Sequence, residues 1–358
     1  MNTLHSRKIR SRAGVLITAL NILTVAHSSL AAGTQTNQSS SSPNMVNMGR
    51  KVQAQTFIVP LFNAAVVTRS NINLNGNNVV VDSFDSSDPL HSLLGQYSAA
   101  LAEANGNVAT DSSVVGDISL GNANIYGHLY TGPGTAASSV QVGANGAVGT
   151  TAWNTTSTGI QPGYWSGDFN LNIPDVPTPP TGTNALPAPV GGNVILTNGN
   201  YTISPTDPNI SLPIMVTGPV TLWVQGSFSP TSINVAITNN ANLALFVGRT
   251  SGTGDSLSVS GNTTINQPGL SRTLQLYGMP SLSTITLSGN VGFVGTIYAP
   301  EASATFNGGG NNTDFSGAIV VGSLTMNGHF SIHYDQNLAV NGPSRGWVAK
   351  SWAEQKYP

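Results

Sequence analysis

The chain has 358 residues, with 40 Gly, 21 Pro, only 7% charged residues and a formal net charge of -2. So few ions, nearly balanced, exclude the basic footprint of a nucleic-acid binder, and the scarcity of Glu and Lys excludes a coiled coil. Cysteine is absent, which removes disulfides, thiolate nucleophiles, iron–sulfur clusters and Cys-ligated zinc.

Arg7, Lys8, Arg10 and Arg12 precede an apolar run, AGVLITALNILTVA over 13–26, and small residues follow at 28–32. This order predicts a signal peptide over 1–31, cleaved before Ala32 or Gly33, and a secreted, periplasmic or cell-surface destination. The rival, a retained pilin-like anchor, needs a longer apolar run than one interrupted by Asn21; no transmembrane segment is expected after cleavage. Residues 32–54 read as a flexible polar leader. Between Arg69 and Arg249 no Lys or Arg occurs, so that span has nothing with which to hold anionic lipid, nucleic acid or polyphosphate.

From residue 55 to 342 the pattern is short strands between Asn- and Gly-rich corners. SNINLNGNNVVV (70–81), VVGDISLGNANIYGHLYT (114–131), VQVGANGAVG (140–149), VILTNGNYTI (194–203), LSVSGNTTI (257–265), ITLSGNVGFVGTI (285–297) and IVVGSLTMNGHFSI (319–332) share it. Apolar alternation says strand, and Asn and Gly accept the tight backbone of corners. The number of these pieces and their shortness predict an all-β fold, a parallel β-helix of expected right-handed sense, in which one short strand stacks on the next.

Two stretches break the rhythm. In DPLHSLLGQYSAALAEA (88–104), Leu90, Leu94, Tyr97 and Leu101 fall near one helical face behind Asp88 and Pro89, which predicts one short helix. PDVPTPPTGTNALPAPVG (174–191) holds six prolines and cannot be an interior strand, so it reads as a strap outside the core of a single solenoid. The aromatic tail 343–358, with Trp347 and Trp352, is a natural cover for an open end of the stack.

Several strings resemble a family of uncharacterised bacterial secreted or envelope domains, found mainly in Verrucomicrobia, Planctomycetes and related groups. They are INLNGNNVVVDSFDSSDP (72–89), GNANIYGHLYTGPG (121–134), GTIYAPEASATFNGGG (295–310), FSGAIVVGSLTMNGHFSIHYDQNL (315–338) and the closing SWAE (351–354). The resemblance covers nearly all of the chain after residue 31. It implies a β-helical, adhesin-like surface module, in relatives often placed behind a pilin-like membrane segment. It carries over no catalytic residue.

Four sets of side chains invite a chemical reading. Asp82, Asp85 and Asp88, among Ser83, Ser86 and Ser87, offer oxygen ligands for Ca2+, although the spacing is not that of an EF-hand; the competing role is turn and helix capping. His329, His333 and Asp335 alternate with Phe330, Ile332 and Tyr334, which predicts an outer polar face above an inner aromatic ladder. The two His, about 13 Å apart along a strand, are too far apart to share one zinc ion. Trp153, Tyr164 and Trp165 can stack on sugar faces or pack a loop onto the solenoid. Glycoside cleavage needs two facing carboxylates, for which Asp82, Asp85, Asp111, Asp117 and Asp168 are available, and a uronate would look to Arg249 or Arg272. No G-x-S-x-G elbow and no P-loop is present. Thr284, Thr286 and Thr296 lie near strands, but no repeated T-x-T ladder marks an ice-ordering face.

The expectation is a non-catalytic extracellular or envelope module acting through its solenoid surface. Its partners would be another copy, a neighbouring envelope protein or a neutral glycan. The alternative is a glycoside hydrolase or lyase on the same scaffold.

Overall fold

The computed structural model describes residues 23–25, 50–76, 78–237, 240–308 and 314–356, with backbone alone for 23–25, 50–58 and 345–356. The chain divides into two units, residues 1–59 with 345–358, and residues 60–344. In the first, strands Leu23–Val25, Arg50–Pro60 and Ser344–Lys356 form one sheet, the first two antiparallel. Apart from the backbone of Leu23–Val25, the signal peptide lies outside the described residues, as do its cleavage site, most of the leader and the side chains of the 343–358 tail beyond Ser344. Among the described residues no helix is long and apolar enough to cross a membrane.

The second unit is a parallel β-solenoid with three ladders. The first ladder runs through Val194–Leu196, Ile214–Val216, Ile233–Val235, Thr264–Ile265, the starts of Gly292–Gly308 and Asp314–Gly328, Ser331–Asp335, Val80–Phe84, Asn124–Tyr126 and Ala147–Gly149. The second runs from Gly199–Ile203 through Pro219–Val224, Asn242–Val247 and Leu274–Gly278 to Val66–Thr68, Val108–Thr110 and Leu129–Tyr130. The third joins Asp255–Gly261, Leu282–Gly289, residues 303–308 and 323–328, Ile72–Asn73 and Ile118–Gly121. All of these pairings are parallel, as the number and shortness of the strands predict.

A six-residue motif builds the third ladder: SLSVSG, TITLSG, SATFNG, SLTMNG and NINLNG, each ending in Gly at a corner. Its second and fourth residues point inward and are buried, as in Leu257 and Val259, Ile285 and Leu287, Ala304 and Phe306, or Leu324 and Met326. Its first and third point outward. Ser256, Thr284, Ser303 and Ser323 are level in one row, and Ser258, Thr286, Thr305, Thr325, Asn73 and Ser119 in the next. The hydroxyl ladder that the sequence reading found missing is therefore present once Ser is counted with Thr. Thr296 is no part of it: it is 1% exposed, on the second ladder. Inside, Phe293, Phe315, Phe306 and Phe330 stack at 4.9, 6.1 and 5.0 Å between ring centres.

The stacking order departs from chain order. Val66–Thr68 packs between residues 319–321 and Val108–Thr110, so the N-terminal coils continue the ladders that the C-terminal coils begin. The chain enters and leaves the solenoid side by side in mid-stack, where Leu61 N donates to Pro343 O at 2.8 Å. From mid-stack it winds out to one end at Trp165–Ser166, crosses to the other end, and winds back.

The crossing is the proline-rich strap. Leu171 N donates to Asp111 Oδ1 at 3.0 Å, Arg69 Nη2 to Ile173 O and Asp175 Oδ1, Tyr298 Oη to Pro174 O, and Gly182 N to Thr202 Oγ1. Its path follows an outward aromatic column, Trp223, Phe246, Tyr277 and Tyr298, one per coil. Thr202 and Tyr298 are four rungs apart, about 19 Å at about 4.8 Å each. The eight steps from Pro174 to Gly182 reach about 25 Å in polyproline-like extension. Prolines suit this course because a chain lying across a sheet has no ladder for its N–H groups to join. The strap lies outside the sheets, and its Val176 and Leu186 are buried in the same apolar cluster as Trp223, Phe246 and Tyr298 of the outward column. At the far end Asn184 bridges Tyr201 and covers the edge of the last second-ladder strand.

Arg69 fastens the strap at mid-stack by pairing with both Asp175 and Glu301. These groups are partly exposed, so Arg69→Ala should cost below about 1 kcal/mol globally. Limited proteolysis should nevertheless show faster cutting within 174–191. An unchanged cleavage pattern would mean the strap is held without it.

Candidate functional site

The predicted helix over 88–104 does not form. Asp85 Oδ1 accepts from Ser87 N at 2.8 Å and Asp88 Oδ1 from Leu90 N at 2.8 Å, two side-chain turns in succession. Leu94 and Gly95 then take positive φ of 54° and 80°, and only a 3-10 turn, Ala99–Leu101, follows. Turn chemistry overrides the apolar spacing, and Leu90, Leu93 and Leu94 face solvent.

This segment is a loop laid over the outer face of the first ladder. It is closed where Ser83 and Glu103 exchange backbone hydrogen bonds at 3.0 and 2.7 Å. Beneath it Tyr97 stacks on His333 at 3.4 Å between ring centres and donates its hydroxyl to Asp82 Oδ2 at 2.8 Å. His333 Nδ1 lies 2.6 Å from Asp82 Oδ1, and its Nε2 lies 3.7 Å from Asp314 Oδ1. Burial works against the imidazolium, but Asp314 and Asp82 outweigh it and raise the His333 pKa above its ordinary range. Burial, then the Asp82 charge, raises that of Tyr97.

The outer polar face predicted at 329–335 is thus corrected. His333 is 3% and Asp335 0% exposed, because the 85–105 loop covers them; His329 stays outside, beside Asn78. Asp335 Oδ1 accepts from Ser86 N and Asn337 N, and its buried Oδ2 has no partner among the described residues. Burial raises its pKa against those hydrogen bonds.

The three calcium candidates are separated: Asp82 serves His333 and Tyr97, while Asp85 and Asp88 each hold their own turn. No group of three or more His, Asp or Glu among the described residues is placed to hold a metal ion. Trp153 Nε1 donates to Gly159 O, Trp165 Nε1 to Thr131 Oγ1, and Tyr164 stacks on His128 at 4.2 Å. All three are half-buried and pack the last coil. Asp111, Asp117 and Asp168 accept from Leu171 N, Ser112 Oγ and Ser166 Oγ. Arg249 grips Asp255 with two bonds of 2.9 Å.

Two clefts flank Tyr97. One, of about 250 Å³, has Asp82, Glu103 and Tyr126 in its lining. Its carboxylates are engaged, Asp82 as above and Glu103 by Gln336 Nε2 at 2.6 Å. The other, of about 470 Å³, is lined by Gln96, Tyr97, Thr264, Gln267, Pro268, Val294, Asp314 and Ser316. Sequence reading missed Asp314, Glu103 and Tyr97 as site residues. The signal available was the interruption of the coil rhythm at 85–105, since an excursion that long has to pack on some face.

The comparison with curated proteins finds no match. Among solved structures, the chain is similar to the competence-associated pilin ComZ from Thermus thermophilus at 12% identity and a TM-score of 0.41, over 87% of this chain and 79% of that one. Residues 176–341, from the strap to the end of the C-terminal coils, match the family model described as a domain of unknown function, DUF7305.

Proposed function

We propose that the chain is a non-catalytic extracellular or cell-envelope module that acts through the surface of its solenoid. The observation that carries this reading is the outer face of the third ladder. Its hydroxyls at Ser258, Thr284, Thr286, Ser303, Thr305, Ser323 and Thr325 stand in two level rows. Neighbours are about 4.8 Å apart between coils and about 6.7 Å apart along a strand. Such a face, without charge, meets a partner at short range through repeated hydrogen bonds: another copy, a neighbouring envelope protein or a neutral glycan. The basic and apolar N-terminal pattern supports export, and the quoted strings support an adhesin-like surface role.

The test places charge in the rows. Thr286→Lys with Thr305→Lys should reduce self-association in sedimentation, or retention on whole-cell envelopes, at least tenfold with the fold unchanged by circular dichroism. Equal behaviour of variant and parent would remove this face from the function.

The enzyme reading retains one favourable observation, the shared lining of Asp82 and Glu103 in the smaller cleft. Reducing-end release from a neutral glycan, abolished by Glu103→Gln, would establish it in place of the module.

A further inference from the structure

We propose that the larger cleft, between the 85–105 loop and the outer face of the first ladder, is a binding site for a neutral saccharide, with Asp314 as its anchoring acceptor. The site does not involve the hydroxyl rows of the third ladder and stands independently of them.

The floor is sheet. Thr264, Val294 and Ser316 come from three successive coils, with Thr264 level with Gly292, and Val294 with Ser316. One wall is Gln267–Pro268 and the other Gln96–Tyr97, tied together where Gln96 Nε2 donates to Gly269 O at 2.5 Å. A rigid floor with two joined walls is a preformed concavity, and about 470 Å³ falls within the range of small-molecule sites.

The polar groups of the lining are largely uncommitted. The hydroxyls of Thr264 and Ser316 and the amide of Gln267 have no hydrogen-bond partner among the described residues. Gln96 has spent its amide N–H on Gly269 and keeps its oxygen. The Asp314 side chain is 46% exposed, and its ion-pair contact among the described residues is His333 Nε2 at 3.7 Å. Thr264 is exposed and Gln96, Gln267 and Asp314 are half-buried, so these groups face solvent in the open cleft and can exchange water for a ligand.

Their chemistry selects the ligand class. The lining has no Lys or Arg, so phosphate, sulfate and uronate groups meet a carboxylate with nothing to offset them. A cationic ligand would find a single half-exposed carboxylate, its charge partly offset by the His333 it shares with Asp82, while every other polar group of the lining is a hydroxyl or an amide. What remains is a ligand of many neutral hydroxyls. A carboxylate accepts from adjacent hydroxyls, amides and hydroxyls donate and accept, and Tyr97, Pro268 and Val294 supply apolar surface for the C–H face of a sugar ring.

The experiment uses the full chain on an array of neutral gluco-, galacto-, manno- and N-acetylglucosamine oligosaccharides, with sialylated and sulfated glycans as the anionic arm and putrescine as a cationic probe. Titration of any hit follows. The proposal expects neutral glycans bound and the other two arms not. Asp314→Asn should weaken binding at least tenfold with the parent's circular dichroism, and Gln267→Ala about fivefold with the parent's urea midpoint, while Val115→Ser, at an exposed residue outside both surfaces, leaves affinity unchanged. Absence of any neutral hit, preference for the anionic or cationic arm, or indifference to both cleft substitutions would overturn it. Binding lost through the Thr286 and Thr305 substitutions alone would assign recognition to the third ladder instead.

Discussion

Gly328→Ala is expected to destabilise the solenoid by about 3 kcal/mol or more. A Cβ on Gly328 would stand 2.0 Å from Gly308 O, and the residue's φ is +80°. It closes the SLTMNG motif at a corner where the preceding coil's backbone lies directly beneath, so the new methyl cannot be accommodated without opening the stack. Gly252→Ala gives the contrast: its φ is +91°, but nothing lies within 4 Å of the added carbon, so only conformational strain of about 1–2 kcal/mol applies. Urea unfolding should show a large fall in midpoint for the first and a small one for the second, at similar slope. Equal shifts would mean that the collision relaxes and that the glycine corner does not set the coil spacing.

Replacing His333 should cost about 3–5 kcal/mol, the usual penalty for removing one partner of a buried ion pair, because Asp82 is left under the loop with Tyr97 alone. The effect has a pH signature. Folded His333 holds its proton more tightly than the ordinary value of 6.5. The stabilisation is therefore fully present below about pH 6.5 and is lost as pH rises through the higher folded value. Asp335 acts in the same direction from its ordinary value of 3.8 upward, so the comparison must be between parent and His333→Gln, both of which retain it. The parent should lose stability from pH 6 to pH 9 while His333→Gln changes little. Parallel curves would place the proton elsewhere.

Much of the coil was legible in the sequence because its cause is local. Leu257 and Val259, or Leu324 and Met326, declare their face by alternation, and the prolines of 174–191 exclude a ladder strand whatever surrounds them. The order of the coils was not legible: Ile319 pairs with Val66, and nothing near either residue announces the other. The site failed to show for the same reason. Alternation correctly puts His333 opposite Ile332, but whether that outward face is wet depends on a loop anchored some 250 residues away. Leu90, Leu94 and Leu101 carry a helical spacing that local hydrogen bonding from Asp85 and Asp88 defeats. The hydroxyl rows were within reach, had Ser and Thr been counted as equivalent at the outward positions of the six-residue motif.

Entry and exit at mid-stack leave both tips of the solenoid remote from the chain's attachment to its other unit. Coils can then be gained or lost at either tip without moving the point where the solenoid is tethered. What must change in step is the strap, which alone joins one tip to the other. Each extra coil lengthens its journey by about 4.8 Å, or about one and a half residues of extended chain. Strap length and coil number therefore form a coupled pair, and relatives with longer solenoids should carry proportionately longer proline-rich crossings.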